Sequence, residues 1–226
     1  MEYKTERREC SIVLIGKFNP EMFSPEWFSK RGIIKDEDVN YALSKPLLVS
    51  NQLTRFVTNQ LSINIELNRF TIAATKEPFI AIKDFIQSTF SNLGGFEINA
   101  YGFNYCAHYP TDSAHAYHLV GDRLAPKSFW KGLLGNETCG DDRKSGLTSI
   151  RMMKKNDNGA ITMELQPSAI IEKYGLFISC NDHHNVNKEE NDADDVMSNI
   201  DNQFDDSLKK MIFLQNNLLD EVLKDE

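Results

Sequence analysis

Three histidines fall within one short stretch of the sequence: His108, His115 and His118, with Asp112 and Asp122 close by. His115 and His118 are three residues apart in a segment with helical spacing, so they share a face, and Asp122 lies one turn beyond His118. Imidazole and carboxylate donors so placed would suit a divalent transition metal such as zinc, manganese or iron. The spacing reproduces no established metalloenzyme signature. The plainer reading makes them polar side chains of a half-exposed helix, with His108 at a strand end, and it is preferred here.

Three further groups invite a chemical reading. Asn181-Asp182-His183-His184 stands where a strand leaves for a charged segment, with its adjacent histidines pointing to opposite sides. Asp122, Arg123 and Lys127 could hold an anion, although an Asp122–Arg123 pair with Trp130 packed beneath the sheet is the structural alternative. Asp192, Asp194 and Asp195 resemble a calcium loop only superficially, because the central glycine and the terminal bidentate glutamate are missing. The chain has no phosphate-binding glycine loop, dinucleotide fingerprint, nucleophile elbow or zinc-protease helix. Whether it catalyses anything stays open at this point, with the balance toward no.

Positioning these residues falls to elements that the apolar pattern lays out. Residues 10–18 read as a first strand, nearly buried on both faces. Ser24 before Pro25 predicts a helix N-cap and a short helix to about Lys30, ended by Gly32. Residues 46–50 and 55–58 read as one irregular strand. Leu61 to Leu67 alternates apolar with polar and turns at Asn68 into Arg69–Ala74, a hairpin. Phe79, Ile82, Phe85, Ile86, Phe90 and Leu93 mark a helix ended by Gly94-Gly95. Residues 96–109 form a long aromatic strand closed by Pro110. Two helices divided at Pro126 fill 111–134, and a polar loop covers 135–146. Strands follow over 147–154, 161–166 and 176–181, the first two joined by a turn at Asn156–Gly159. A stripe of Val196, Ile200, Phe204, Leu208, Met211, Ile212, Leu218, Leu219, Val222 and Leu223 predicts a long amphipathic helix. The fold class is therefore α+β: a largely antiparallel sheet with helices on one face and a long C-terminal amphipathic helix. The expected divisions are a core domain over 1–184, an acidic linker over 185–195 and the helix over 196–226.

The net charge of −8 is local. Residues 187–206 hold eight acids (Glu189, Glu190, Asp192, Asp194, Asp195, Asp201, Asp205, Asp206) against the single base Lys188, and so carry seven of the eight negative charges. The nearly neutral remainder offers no basic footprint for a phosphate backbone, so nucleic acid is not expected as a partner. No apolar run reaches the length of a membrane span, and the start carries no secretory pattern, so a cytoplasmic location is expected. Cys10, Cys106, Cys139 and Cys180 form no C-x-x-C pair. Three of them sit in strand-like runs and are expected to be buried free thiols.

Gly16-Lys17-Phe18-Asn19-Pro20-Glu21-Met22-Phe23-Ser24-Pro25-Glu26-Trp27-Phe28 resembles the opening of an uncharacterised bacterial protein family. Arg69-Phe70 through Thr75 to Pro78-Phe79, and Gly121 through Lys127 to Trp130, are similar to its later blocks. The resemblance covers residues 10–184. It implies a bacterial, single-domain cytoplasmic protein and carries no activity or site residues.

These observations favour a non-enzymatic binding or regulatory module with no cofactor. A complete apolar stripe must be buried, either on the sheet or against another chain. The preceding acidic linker suits the second arrangement, in which Phe204, Leu208, Met211, Ile212, Leu219 and Val222 would meet a protein partner or a second copy. The alternatives are a metal-dependent enzyme using His108, His115, His118 and Asp122, and a small-ligand sensor with Phe96, Tyr101, Phe103, Tyr105 and Tyr109 flooring a pocket.

Overall fold

A computed structural model describes residues 3–91, 93, 96–134, 146–187 and 193–224, without the side chains of 193 and 194. The expectations for Gly94-Gly95, Cys139, the 135–145 loop and most of the acidic linker lie outside the described residues.

Strand β1 (Arg7–Gly16) sits near the middle of a nine-stranded sheet and pairs antiparallel on both sides. Its neighbours are β5 (Arg69–Ala74) and β6 (Ile98–Pro110). Two neighbours explain its near-continuous apolar run. It stops at Gly16, short of Phe18, where the register with β6 shifts and the carbonyl of Glu97 comes so close that a side chain would collide with it.

The strand order is completed by β2 (Leu48–Val49), β3 (Leu53–Val57), β4 (Ser62–Glu66), β7 (Ile150–Asn156), β8 (Gly159–Pro167) and β9 (Gly175–Asn185). Across the sheet it reads β2-β3-β4-β5-β1-β6-β9-β8-β7, with all pairs antiparallel. The hairpins at Asn68 and at Asn156–Gly159 form as the alternation predicts. The single irregular strand expected over 46–58 is instead two, β2 and β3. Ser50 turns the chain between them, its hydroxyl accepting from the Leu53 amide at 3.1 Å.

Six α-helices complete the described residues. Ser24 caps α1 (Pro25–Lys30), its hydroxyl accepting from the Trp27 amide, and Gly32 follows with φ of 69°. Helix α2 (Asp36–Leu43) was not foreseen. Only Ala42 of it is buried, so no apolar stripe announces it, and Asp36, Glu37 and Asp38 favour its N-terminus electrostatically. Helices α3 (Ile80–Phe90), α4 (Ala114–Leu124) and α5 (Lys127–Leu134) agree with the predicted spans. Helix α6 (Ala193–Leu223) starts three residues before Val196.

The register sorts side chains onto two faces. Cys10, Ile12 and Leu14 of β1 share one face with Ile72, Phe70, Tyr101, Phe103 and Tyr105, and all of these are buried. Helices α3 and α6 lie over that face, and α4 packs on α6. At the β3–β4–β5 end, Phe23 and Phe28 come down from the 20–30 segment onto Phe70, Phe56 and Phe85. Thr54 ties that segment down through a 2.7 Å bond to the Pro20 carbonyl. On the opposite face Arg55, Asn64 and Glu66 are linked by hydrogen bonds, as are Asn181 and Asn104.

No helix of the described residues is long and apolar enough to cross a membrane.

Candidate functional site

Four positions of α6 one turn apart face the sheet with polar partners. Gln203 accepts from the Tyr101 hydroxyl at 3.0 Å, and the Ser207 hydroxyl donates to Asp182 Oδ2 at 2.8 Å. The Cys180 thiol lies 3.9 Å from the Met211 carbonyl. Gln215, fully buried, accepts from the Tyr109 hydroxyl at 2.7 Å and donates to the Tyr105 carbonyl at 3.1 Å. The i, i+4 spacing puts all four on one line along the helix. Sliding α6 by a turn would leave several buried polar groups without partners, so this ladder fixes its register. Lys83 of α3 adds contacts to Asp201 at 3.1 Å and Asp205 at 3.4 Å.

The stripe expected to meet a partner is therefore occupied within the chain. Phe204, Met211, Leu219 and Val222 are buried, and Leu208 and Ile212 are half-buried against the same core. A partner using that stripe would have to lift α6 from the sheet. Tyr101, Phe103, Tyr105 and Tyr109 are buried on that helix-covered face of the sheet. Phe96 joins the cluster of Phe18, Phe23 and Phe90.

Asp182 is the charged side chain that the sequence did not mark as internal. It is 3% exposed. The signal was available: Ile178 and Cys180 point inward, so alternation points Asp182 and His184 inward too. Lys210 stands 3.5 Å from Asp182 Oδ2, and His184 Nε2 stands 3.6 Å from Oδ1. The His184 ring stacks on Tyr101 at 4.9 Å, while His183 lies on the opposite face and meets Asn185 at 3.1 Å. Burial holds the His184 pKa below its usual 6.5, outweighing the attraction of Asp182. His108 is also lowered, by burial and then by the neighbouring Arg7.

Both histidines thus take up a proton more readily unfolded than folded. As pH falls below about 6.5 the unfolded chain is protonated first and stability declines until the lower folded-state values are reached. The expected result is a fall in unfolding free energy between about pH 7 and pH 5, with a shallower slope in His184→Phe. Urea titrations across that range would check it. Equal slopes in the two proteins would contradict it.

The four candidate metal ligands divide. His108 lies on the face of the sheet away from α6, bonded to Ser168 at 2.8 Å and packed on Phe177. His115, His118 and Asp122 border a single open groove on α4 and α5. The Lys127 ammonium stands between two of them, 3.3 Å from His118 Nδ1 and 3.4 Å from Asp122. A fixed cation there works against a second one. Asp122 thus pairs with Lys127 and not, as expected, with Arg123, which donates to the Glu221 and Val222 carbonyls at the end of α6. No group of three or more metal-ligating side chains occurs among the described residues. Cys10, Cys106 and Cys180 are free thiols. Cys10 and Cys180 are buried as expected, while Cys106, on the opposite face of the sheet, is only half-buried; desolvation pushes the three up to about 12, 11 and 11, so they stay protonated.

The unsatisfied surface lies elsewhere. All of β7 except Ile150 is exposed, on both of its faces, with Met152 at 70%. Helix α5, which borders the 146–149 segment leading into β7, exposes Phe129 (69%), Leu133 and Leu134. Trp130, expected beneath the sheet, is instead 44% exposed. It borders a cavity of about 380 Å³ with Leu134, Leu147 and Lys127, between α5 and the chain entering β7. Periodicity identified β7 as a strand but could not show that the helical layer stops short of it.

Compared with protein-family models and with curated proteins, the chain matches none.

Proposed function

We infer that this chain is a non-enzymatic binding module that docks a protein partner, and that its docking surface is α5 with β7. The observation that carries this reading is a strand exposed on both faces, entered by a segment that borders a helix turning Phe129, Leu133 and Leu134 to solvent. Large apolar side chains clustered in this way mark interaction surfaces more often than chance exposure does. Docking through α6 would forfeit the polar ladder and the buried stripe, so α6 serves the body of the fold.

The test replaces Phe129, Leu133 and Met152 together (F129S/L133S/M152T). These side chains are exposed, so each change should cost no more than about 0.5 kcal/mol and the variant should still fold cooperatively. Proteins retained by the full chain from its source cells are compared with those retained by the variant, alongside light scattering of both. Loss of a retained protein, or of a self-associated species, supports the reading. Identical retention and identical mass would overturn it.

A further inference from the structure

We propose that the free edge of β7 accepts an extended, acidic segment of a partner protein as a tenth strand of the sheet. This rests on the docking surface inferred above and names the chemistry of its occupant.

The two edges of the sheet differ. At one end β2 is two residues long, too short to template another strand. At the other, β7 is seven residues long and pairs only with β8 among the described residues. Alternate N–H and C=O groups along its outer side therefore face away from the sheet, ready for main-chain pairing. Side chains on both faces are exposed, so an added strand would find apolar contacts at Met152 on one face and Met153 on the other.

Charge selects the occupant. Strand β7 carries Arg151, Lys154 and Lys155 and no acid, and α5 carries Lys127 and Lys131 and no acid, in a chain of net charge −8. Arg151, Lys154, Lys155 and Lys131 have no ion-pair partner among the described residues, and only Lys127 is engaged, by Asp122. A second copy pairing edge to edge would set three bases against three, a repulsive arrangement. An acidic strand would place carboxylates opposite them.

The probe is a fluorescein-labelled ten-residue peptide alternating glutamate with valine, titrated with the full chain and followed by anisotropy. Its counterpart has lysine for glutamate. Saturable binding of the acidic peptide alone is expected, weakening as salt is raised. The triple variant R151E/K154E/K155E should lower that affinity about tenfold or more. The variant K30E/K76E/K173E, with the same change in net charge at exposed sites elsewhere, should leave it within about twofold. No binding of the acidic peptide, equal binding of the basic one, or an equal loss in both triple variants would overturn the proposal. If the peptide fails while F129S/L133S/M152T still loses its partner, the docking surface stands and only its strand chemistry falls. If that variant also loses nothing, both fall.

Discussion

A chain ending at Asn187 is expected not to fold cooperatively. Removing α6 uncovers Tyr101, Phe103, Tyr105 and Tyr109 on the longest strand, together with Cys180 and Asp182 on its neighbour. Those aromatic side chains would each return roughly 2 kcal/mol or more of burial to water, and a domain's whole margin is only about 5–15 kcal/mol. The deletion also removes the helical hydrogen-bond partners of the Tyr109 hydroxyl, the Tyr105 carbonyl and the Asp182 carboxylate. Near-ultraviolet circular dichroism should lose its fine structure, and light scattering should show aggregation. A monomeric truncated chain with a sharp thermal transition like the parent's would show that α6 is separable, and would return Phe204 and Met211 to the pool of docking residues.

Phe204→Ala should cost about 3–5 kcal/mol, the usual range for emptying a buried phenylalanine site. Phe204 is fully buried and packs edge-on against Phe103 with ring centres 5.7 Å apart. The neighbouring residues are held by the Gln203 and Ser207 bonds, so the helix cannot settle into the cavity and the loss should fall at the upper end. Phe213, two and a half turns along α6 and so on its opposite face, is 61% exposed and supplies the internal control. Its replacement by alanine should change stability by no more than about 0.5 kcal/mol. Urea unfolding of the two variants measures both. A Phe204 loss no greater than the Phe213 loss would mean that α6 does not rest on the sheet as described.

These two phenylalanines also show what was legible in the sequence. The stripe through Phe204 gave the helix and its inward face, because 3.6-residue periodicity needs no tertiary information. It could not say whose surface the stripe would cover. The hairpin at Asn68 was legible because Leu61 to Leu67 alternates without a break. Helix α2 was not, because a helix that buries a single alanine leaves no pattern. Asp182 read as a polar exit from the sheet because strand ends are commonly solvated. Only the helix crossing above it makes it internal. The proposed docking surface was equally hidden: Ile-Arg-Met-Met-Lys-Lys-Asn reads as a strand in any context, and what distinguishes it is that none of the described residues covers it.

The polar ladder joins residues that are far apart in the chain: Tyr101 and Gln203 are 102 positions apart, and Tyr109 and Gln215 are 106. Ribosomes add roughly 5–20 residues per second, so the aromatic strand is made about 5–20 s before its cover. During that interval α3 is available to shelter part of it, while the stretch beneath α6 waits with tyrosines and phenylalanines bare. In that interval the nascent chain is expected to expose the kind of apolar surface that holding chaperones bind, and a pause between the two segments would lengthen the exposure while one before the strand would not.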